Sequence, residues 1–285
     1  MFGYGVRADE AIPAVVEREL RAALAGDPPA SAVNLGYNNE GAYSFAFTLT
    51  DFAYLDYDVV VLYEGYNDLM GDPQAPNTAV FRHQSAVFRL TGYYPILPLV
   101  LREKAMALRF GSLESGYEHA RGGKTVFTPS LAQRTSAAVL QSASGVTEAL
   151  GRQLERFSET PRHRIVPTTA GCAYPWAEYC ESIHVAVSQA RAAGYRVVVV
   201  TQPRPLPPLA DVHRAQQDAM HRMLRAHFAD DDAVVLVDLS ESVDLSDPEL
   251  SYDAMHLTAA GNRQVGAALA QALIPVVRAV RAPRG

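Results

Sequence analysis

Two hydrophobic periods alternate along the chain. In "ADEAIPAVVERELRAALAG" the residues Ile12, Val16, Leu20 and Leu24 recur every four positions, the spacing of a helix that buries one stripe. Asp9 stands near its N-cap and Gly26 just past its end, which are the usual start and stop signals. The short run "SAVNLG" predicts a strand near 31–35 that opens into the loop "GYNNEG", and "AYSFAFTLTDFAYL" predicts a helix. "DYDVVVLYEG" predicts a strand near 58–63. Its unbroken apolar run suits a strand covered on both faces.

From about Leu69 to Ile165 the alternation lapses. Helices are predicted near 77–90, 96–108 and 129–157, joined by loops containing Gly and Pro, as an insertion packed over one end of a sheet. Alternation then returns, with a helix near 175–193, the strand "YRVVVVTQP" near 196–201, a helix near 209–228, the strand "AVVLVDLS" near 233–238 and a last helix near 259–280. Helices alternating with strands predict an α/β fold with a parallel sheet and helices on both faces. The expected organisation is one domain over residues 1–285, with the helical insertion at about 70–165.

Composition narrows the functional classes. The net charge of −6, with signs intermixed, argues against nucleic acid as a partner. No run of about 20 apolar residues is present to span a bilayer. The opening "MFGYGVRADE" lacks the charged region and apolar core of a secretory signal. Cys172 and Cys180 flank "AYPWAEY" and are either a pair formed in an oxidising compartment or two buried thiols, so the compartment stays open.

The residues with chemical promise lie after strands. Near the C-terminus "SYDAMHLTAAGN" sets Asp253 and His256 three apart, close enough to meet on one turn. A carboxylate that accepts from one imidazole nitrogen fixes the tautomer and makes the other nitrogen a better base. The same spacing also arises from a helix-starting Asp beside a packing His. Thr258 is the better cap for the last helix, which releases Asp253 from that duty. In "YEGYNDLM" the strand ends in a turn that places Asn67 at its carboxyl end, where binding residues gather in parallel sheets. The three histidines of the helix near 209–228, at 213, 221 and 227, do not share one face, and no metal site is expected from them. "GYYPILPLVLREKAMALRFG", 92–111, is apolar and then basic: a packing helix, a lid, or a helix leaning on a membrane.

In order and form these blocks resemble the SGNH (GDSL-type) hydrolase family. "GYND" matches its Asn block, "YDAMHLTAAGN" its Asp-x-x-His block, and "VNLGYNNEGAYS" its Gly block with two extra residues. The resemblance implies a three-layer, flavodoxin-like fold and metal-free, cofactor-free ester hydrolysis. His256 would be the general base, Asp253 its orienter, and Asn67 with Gly41 the oxyanion hole; Gly36 and Asn39 are rivals of Gly41. The family's Gly-x-Ser nucleophile turn and the strand before it are missing, and "FGYGV" resembles the tail of that block. The expectation is therefore a nucleophile encoded upstream of Met1. Ser31, Ser44, Ser240 and Ser251 are weaker substitutes. The substrate implied is a small-molecule, lipid or acylated-carbohydrate ester. The alternatives are a non-catalytic pseudo-hydrolase that binds on the same scaffold, and an O-acyltransferase.

Overall fold

The structure is a computed structural model. It describes residues 3, 5–24, 29–37, 40–63, 65–69, 81–85, 87–88, 97–120, 122–124, 126–156, 171–172 and 175–281. The chain divides into two compact units, one formed by Met1–Val80 with Ile165–Gly285 and the other by Phe81–Arg164.

The larger unit holds helices α1 (Ile12–Ala23) and α2 (Phe45–Asp51), strand β1 (Val59–Tyr63), and in the smaller unit follow α3 (Leu97–Phe110), α4 (Leu113–Ala120) and α5 (Leu131–Arg156). The larger unit then resumes with α6 (Ala177–Ala192), β2 (Arg196–Val200), α7 (Leu209–Phe228), β3 (Val234–Val237) and α8 (Ala259–Arg281). The strands form one parallel sheet in the order β1-β2-β3, with Val59 opposite Arg196 and Val197 opposite Val234. β2 is central and its Val197–Val200 run is at most 1% exposed, which explains why its sequence is apolar without alternation.

Successive strand residues point to opposite faces, and each face has its own core. Val60, Leu62, Val197 and Val199 pack with Ile183 and Val187 of α6 and Met220 and Leu224 of α7. Tyr63, Val198, Val200 and Val237 pack with the α1 stripe and with Val265 and Leu269 of α8. The stripe read from the sequence is buried throughout, with Ile12, Val16, Leu20 and Leu24 between 5 and 7% exposed. Helix α8 approaches α1 at Gly266, where a Cβ would lie 2.7 Å from Val15 Cβ. Asp9 is not the cap of α1: it pairs with Arg7, and Ala11 occupies the N-cap without a side-chain bond.

In the smaller unit α3 lies along α5, and Ser144 Oγ donates to the Pro98 carbonyl at 2.8 Å. Tyr117 OH of α4 donates to Glu103 Oε1 of α3 at 2.9 Å. Half of the helix expected near 77–90 lies outside the described residues; of the rest, Arg82–Gln84 form a 3-10 turn and 87–88 are helical.

Two sequence expectations are corrected here. Residues 31–35 are not a strand. Val33 is 58% exposed, and two backbone groups are satisfied by side chains instead of a ladder. Ala32 N–H donates to Glu17 Oε2 at 2.8 Å, and Gly36 N–H donates to the Asn34 side-chain oxygen at 3.1 Å. The second correction is to the family and its flavodoxin-like three-layer fold. The described residues are predominantly helical around a small open sheet of three strands, where the SGNH architecture requires a central sheet of five. The expectation of an absent first strand is corrected with it. It needed a strand at 31–35 on the far side of a gap, and no such strand borders β1.

Candidate functional site

The Asp253–His256 pair lies on the connection between β3 and α8, in a loop closed on itself. Ser251 and Leu257 form an isolated antiparallel bridge, and Tyr252 N–H donates to the His256 carbonyl at 2.9 Å. Ala254 takes a left-handed conformation with φ of 63°, uncommon for a residue with a Cβ and suited to a tight turn. Asp253 Oδ1 accepts from the backbone N–H of Met255 at 3.2 Å and of His256 at 2.7 Å. Its other oxygen, Oδ2, stands 2.8 Å from His256 Nδ1. Since a carboxylate only accepts, Nδ1 carries the proton in this contact. The two side chains are 30% and 39% exposed, so the imidazole is open to solvent while its orientation is fixed.

The loop is pinned on both sides. Leu257 is buried in the α1/α8 core. Thr258 Oγ1 donates to the Glu249 carbonyl at 2.6 Å and accepts from Gly261 N–H at 3.2 Å, the cap that the sequence assigned to it. Gly261 has no alternative: a Cβ there would fall 2.1 Å from the Leu250 carbonyl oxygen. On the other side Tyr252 OH donates to the Gly5 carbonyl at 3.0 Å, and Gly5 sits under the tyrosine ring with φ of +77°.

Asn67 and Gly41 lie in the contact between the turn after β1 and the 40–44 segment. Asn67 Nδ2 donates to the Glu40 carbonyl at 2.9 Å, and Asp68 Oδ2 accepts from Ala42 N–H at 2.9 Å. A Cβ on Gly41 would lie 2.5 Å from Asp68 Oδ1. These residues clasp the 40–44 segment to the 65–69 turn. Gly36 is in the exposed turn described above, and Asn39 lies outside the described residues.

The serines weighed as nucleophiles are engaged elsewhere. Ser44 Oγ donates to the Gly41 carbonyl, Ser251 Oγ to the His256 carbonyl and Ser31 Oγ to Glu17 Oε2. Ser240 hydrogen-bonds Asp238 through its side chain as well as its N–H. With no Ser-His-Asp geometry among the described residues and a three-stranded sheet, SGNH-type ester hydrolysis loses its support. Its acyltransferase variant and the inactive-scaffold binding variant lose it too, since both presuppose the same fold.

A buried polar belt behind the β1 turn was not visible in the sequence. Tyr66 N–H donates to Gln202 Oε1 at 2.8 Å, Tyr66 OH donates to the Pro203 carbonyl, and Gln216 Nε2 donates to the Gly65 carbonyl at 3.1 Å. His213 packs its ring against Tyr66 with centroids 5.1 Å apart. Burial, aided by the Arg204 charge, pushes His213 down to about 4, so it is neutral at pH 7. The only signal was polar side chains at 213, 216 and 217 on the α7 face that also carries Met220 and Leu224. Among the described residues no group of three or more His, Cys, Asp or Glu is arranged to hold a metal ion, and no helix is long and apolar enough to cross a membrane.

No family model, curated protein or solved structure matches this chain.

Proposed function

We propose that the Asp253–His256 loop is a ligand site for a small polar molecule carrying a hydroxyl or another weakly acidic group, bound at the partly exposed His256 ring that Asp253 orients. The 2.8 Å contact between His256 Nδ1 and Asp253 Oδ2 carries the proposal. It commits one ring nitrogen to an internal partner and so fixes the orientation of a ring that is 39% exposed. A ring held in place by its own loop costs little entropy to engage. Both oxygens of Asp253 are already used within the loop, so its role is to orient the ring.

Imidazole nitrogen NMR tests this directly. Wild-type protein is expected to carry the ring proton on Nδ1, and Asp253→Asn is expected to release the ring to the usual mixture of tautomers. Phenol and methyl glucoside, added as simple hydroxyl probes, should then shift the His256 ring signals to saturation and shift nothing comparable in His256→Phe. A proton found on Nε2 in the wild type sinks the proposal. So do probe shifts at His256 no larger than those at the exposed His227.

A further inference from the structure

Cys172 and Cys180 are joined by a disulfide across eight residues, with their Cα atoms 6.1 Å apart. The two sulfurs have different surroundings. Cys180 is 0% exposed in the core beneath α6, whereas Cys172 is only partly buried at the edge of that core. Cys172 Sγ lies 3.4 Å from the Ala219 carbonyl oxygen of α7, a plain contact since a bridged sulfur has no proton. A cleft of about 420 Å³ opens at this place, and Cys172 and Trp176 line it together with Ala215, Asp218 and Arg222 of α7. Cys180 is not among its lining residues.

We propose that the Cys172–Cys180 bridge is a thiol-exchange site, entered from this cleft by a low-molecular-weight thiol and attacked at the Cys172 sulfur. Exchange requires a thiolate to reach one sulfur of the bridge, so access decides which sulfur is taken. The incoming thiolate forms a new S–S bond to Cys172 Sγ while the Cys172–Cys180 bond breaks. The electron pair leaves with Cys180, which takes a proton from solvent. A second small thiol then attacks the mixed disulfide, departs with the first as their own disulfide, and leaves both cysteines reduced; the small thiol is the reductant throughout. The cleft volume falls in the range of about 300–1,000 Å³ typical of small-molecule sites, room enough for a tripeptide-sized thiol. Asp218 and Arg222 contribute one charge of each sign to the wall, so the cleft favours neither anionic nor cationic thiols by net charge. Opening the bridge unties the 171–172 segment from the first turn of α6.

The experiment treats the native full-length chain with excess reduced glutathione, quenches with acid, alkylates the remaining thiols in denaturant, and maps the peptides by mass spectrometry. Quenched early, the chain is expected to carry glutathione on Cys172 and the alkyl label on Cys180; quenched late, the label on both. The protein's single tryptophan, Trp176, lines the same cleft, and its fluorescence should rise as the quenching sulfur pair opens. Ala215→Trp, which fills the mouth, is expected to slow exchange by roughly tenfold through lost access, with thermal stability unchanged. Should that variant fail to fold, the wild-type adduct pattern decides alone. Glutathione distributed equally between the two cysteines overturns the proposal. So does exchange that proceeds only in urea, in step with global unfolding.

Discussion

His213 makes the larger unit sensitive to mild acid. Its ring is 2% exposed, and its Nε2 has no hydrogen-bond partner among the described residues. Protonating it in place means burying a charge against the Tyr66 ring with Arg204 as the nearest charged influence. The folded protein therefore takes up this proton only near pH 4, while the unfolded chain takes it up near 6.5. Between these values the unfolded state binds more protons, so stability is fully present above 6.5 and is lost as pH falls toward 4. Working the two titrations from pH 7.5 to 5.0 gives a loss of about 2 kcal/mol. For a unit of this size that corresponds to a melting temperature lower by about 4–8 °C. Urea unfolding at the two pH values, followed by Trp176 fluorescence, measures it. His213→Phe keeps a ring against Tyr66 and removes the titrating nitrogen, so the difference in pH slope between variant and wild type isolates this residue from other groups. Equal slopes in the two proteins would contradict this assignment to His213, as would an NMR titration placing His213 near its ordinary value.

Further expectations concern packing and one carboxylate. Gly266→Leu forces a side chain into Val15, where even a Cβ lies at 2.7 Å; separating α1 from α8 should cost about 1–3 kcal/mol in chemical denaturation. Gly41→Ala drives a methyl group into Asp68 and should cost a similar amount, about 1–3 kcal/mol, by loosening the clasp after β1. Glu178 of α6 is buried, and burial with the neighbouring Glu181 charge raises its carboxyl above the usual range. Here the folded state binds more protons than the unfolded one, so stability falls as pH rises through the ordinary carboxyl range. Glu178→Gln should raise the melting temperature at pH 7 and lose that advantage at pH 4.

Elements with strong periodicity were legible from sequence alone: the α1 stripe, the three valine-rich strands and the long helices α6 to α8. "SAVNLG" was misleading because strand propensity says nothing about Glu17 and Asn34, whose side chains take the hydrogen bonds a neighbouring strand would have supplied. The family resemblance failed for a related reason. "GYND" and "YDAMHLTAAGN" are short blocks with sufficient local causes. Asn67 and Asp68 clasp a neighbouring loop, Asp253 closes its own turn, Thr258 caps α8, and Gly261 clears a carbonyl. Such blocks carry no information about how many strands a sheet contains. The Asp253–His256 contact was readable because it depends on three-residue spacing. The polar belt around His213 was not, because sequence does not reveal which polar side chains of a helix face inward. The pairing of Cys172 with Cys180 likewise depended on where the first turn of α6 sits.

The chain leaves the larger unit after β1 and returns only before α6, and this detour bears on the order of assembly. The contact that locks β1 beside β2, Tyr66 N–H to Gln202, joins residues 136 apart, whereas Thr201, just after β2, reaches Val237 of β3 across 36. Closing the longer loop costs about 1 kcal/mol more in chain entropy. That entropy alone favours β2 and β3 as the pair that zips first, with β1 the late arrival, its open edge waiting on a segment that has its own helices to build.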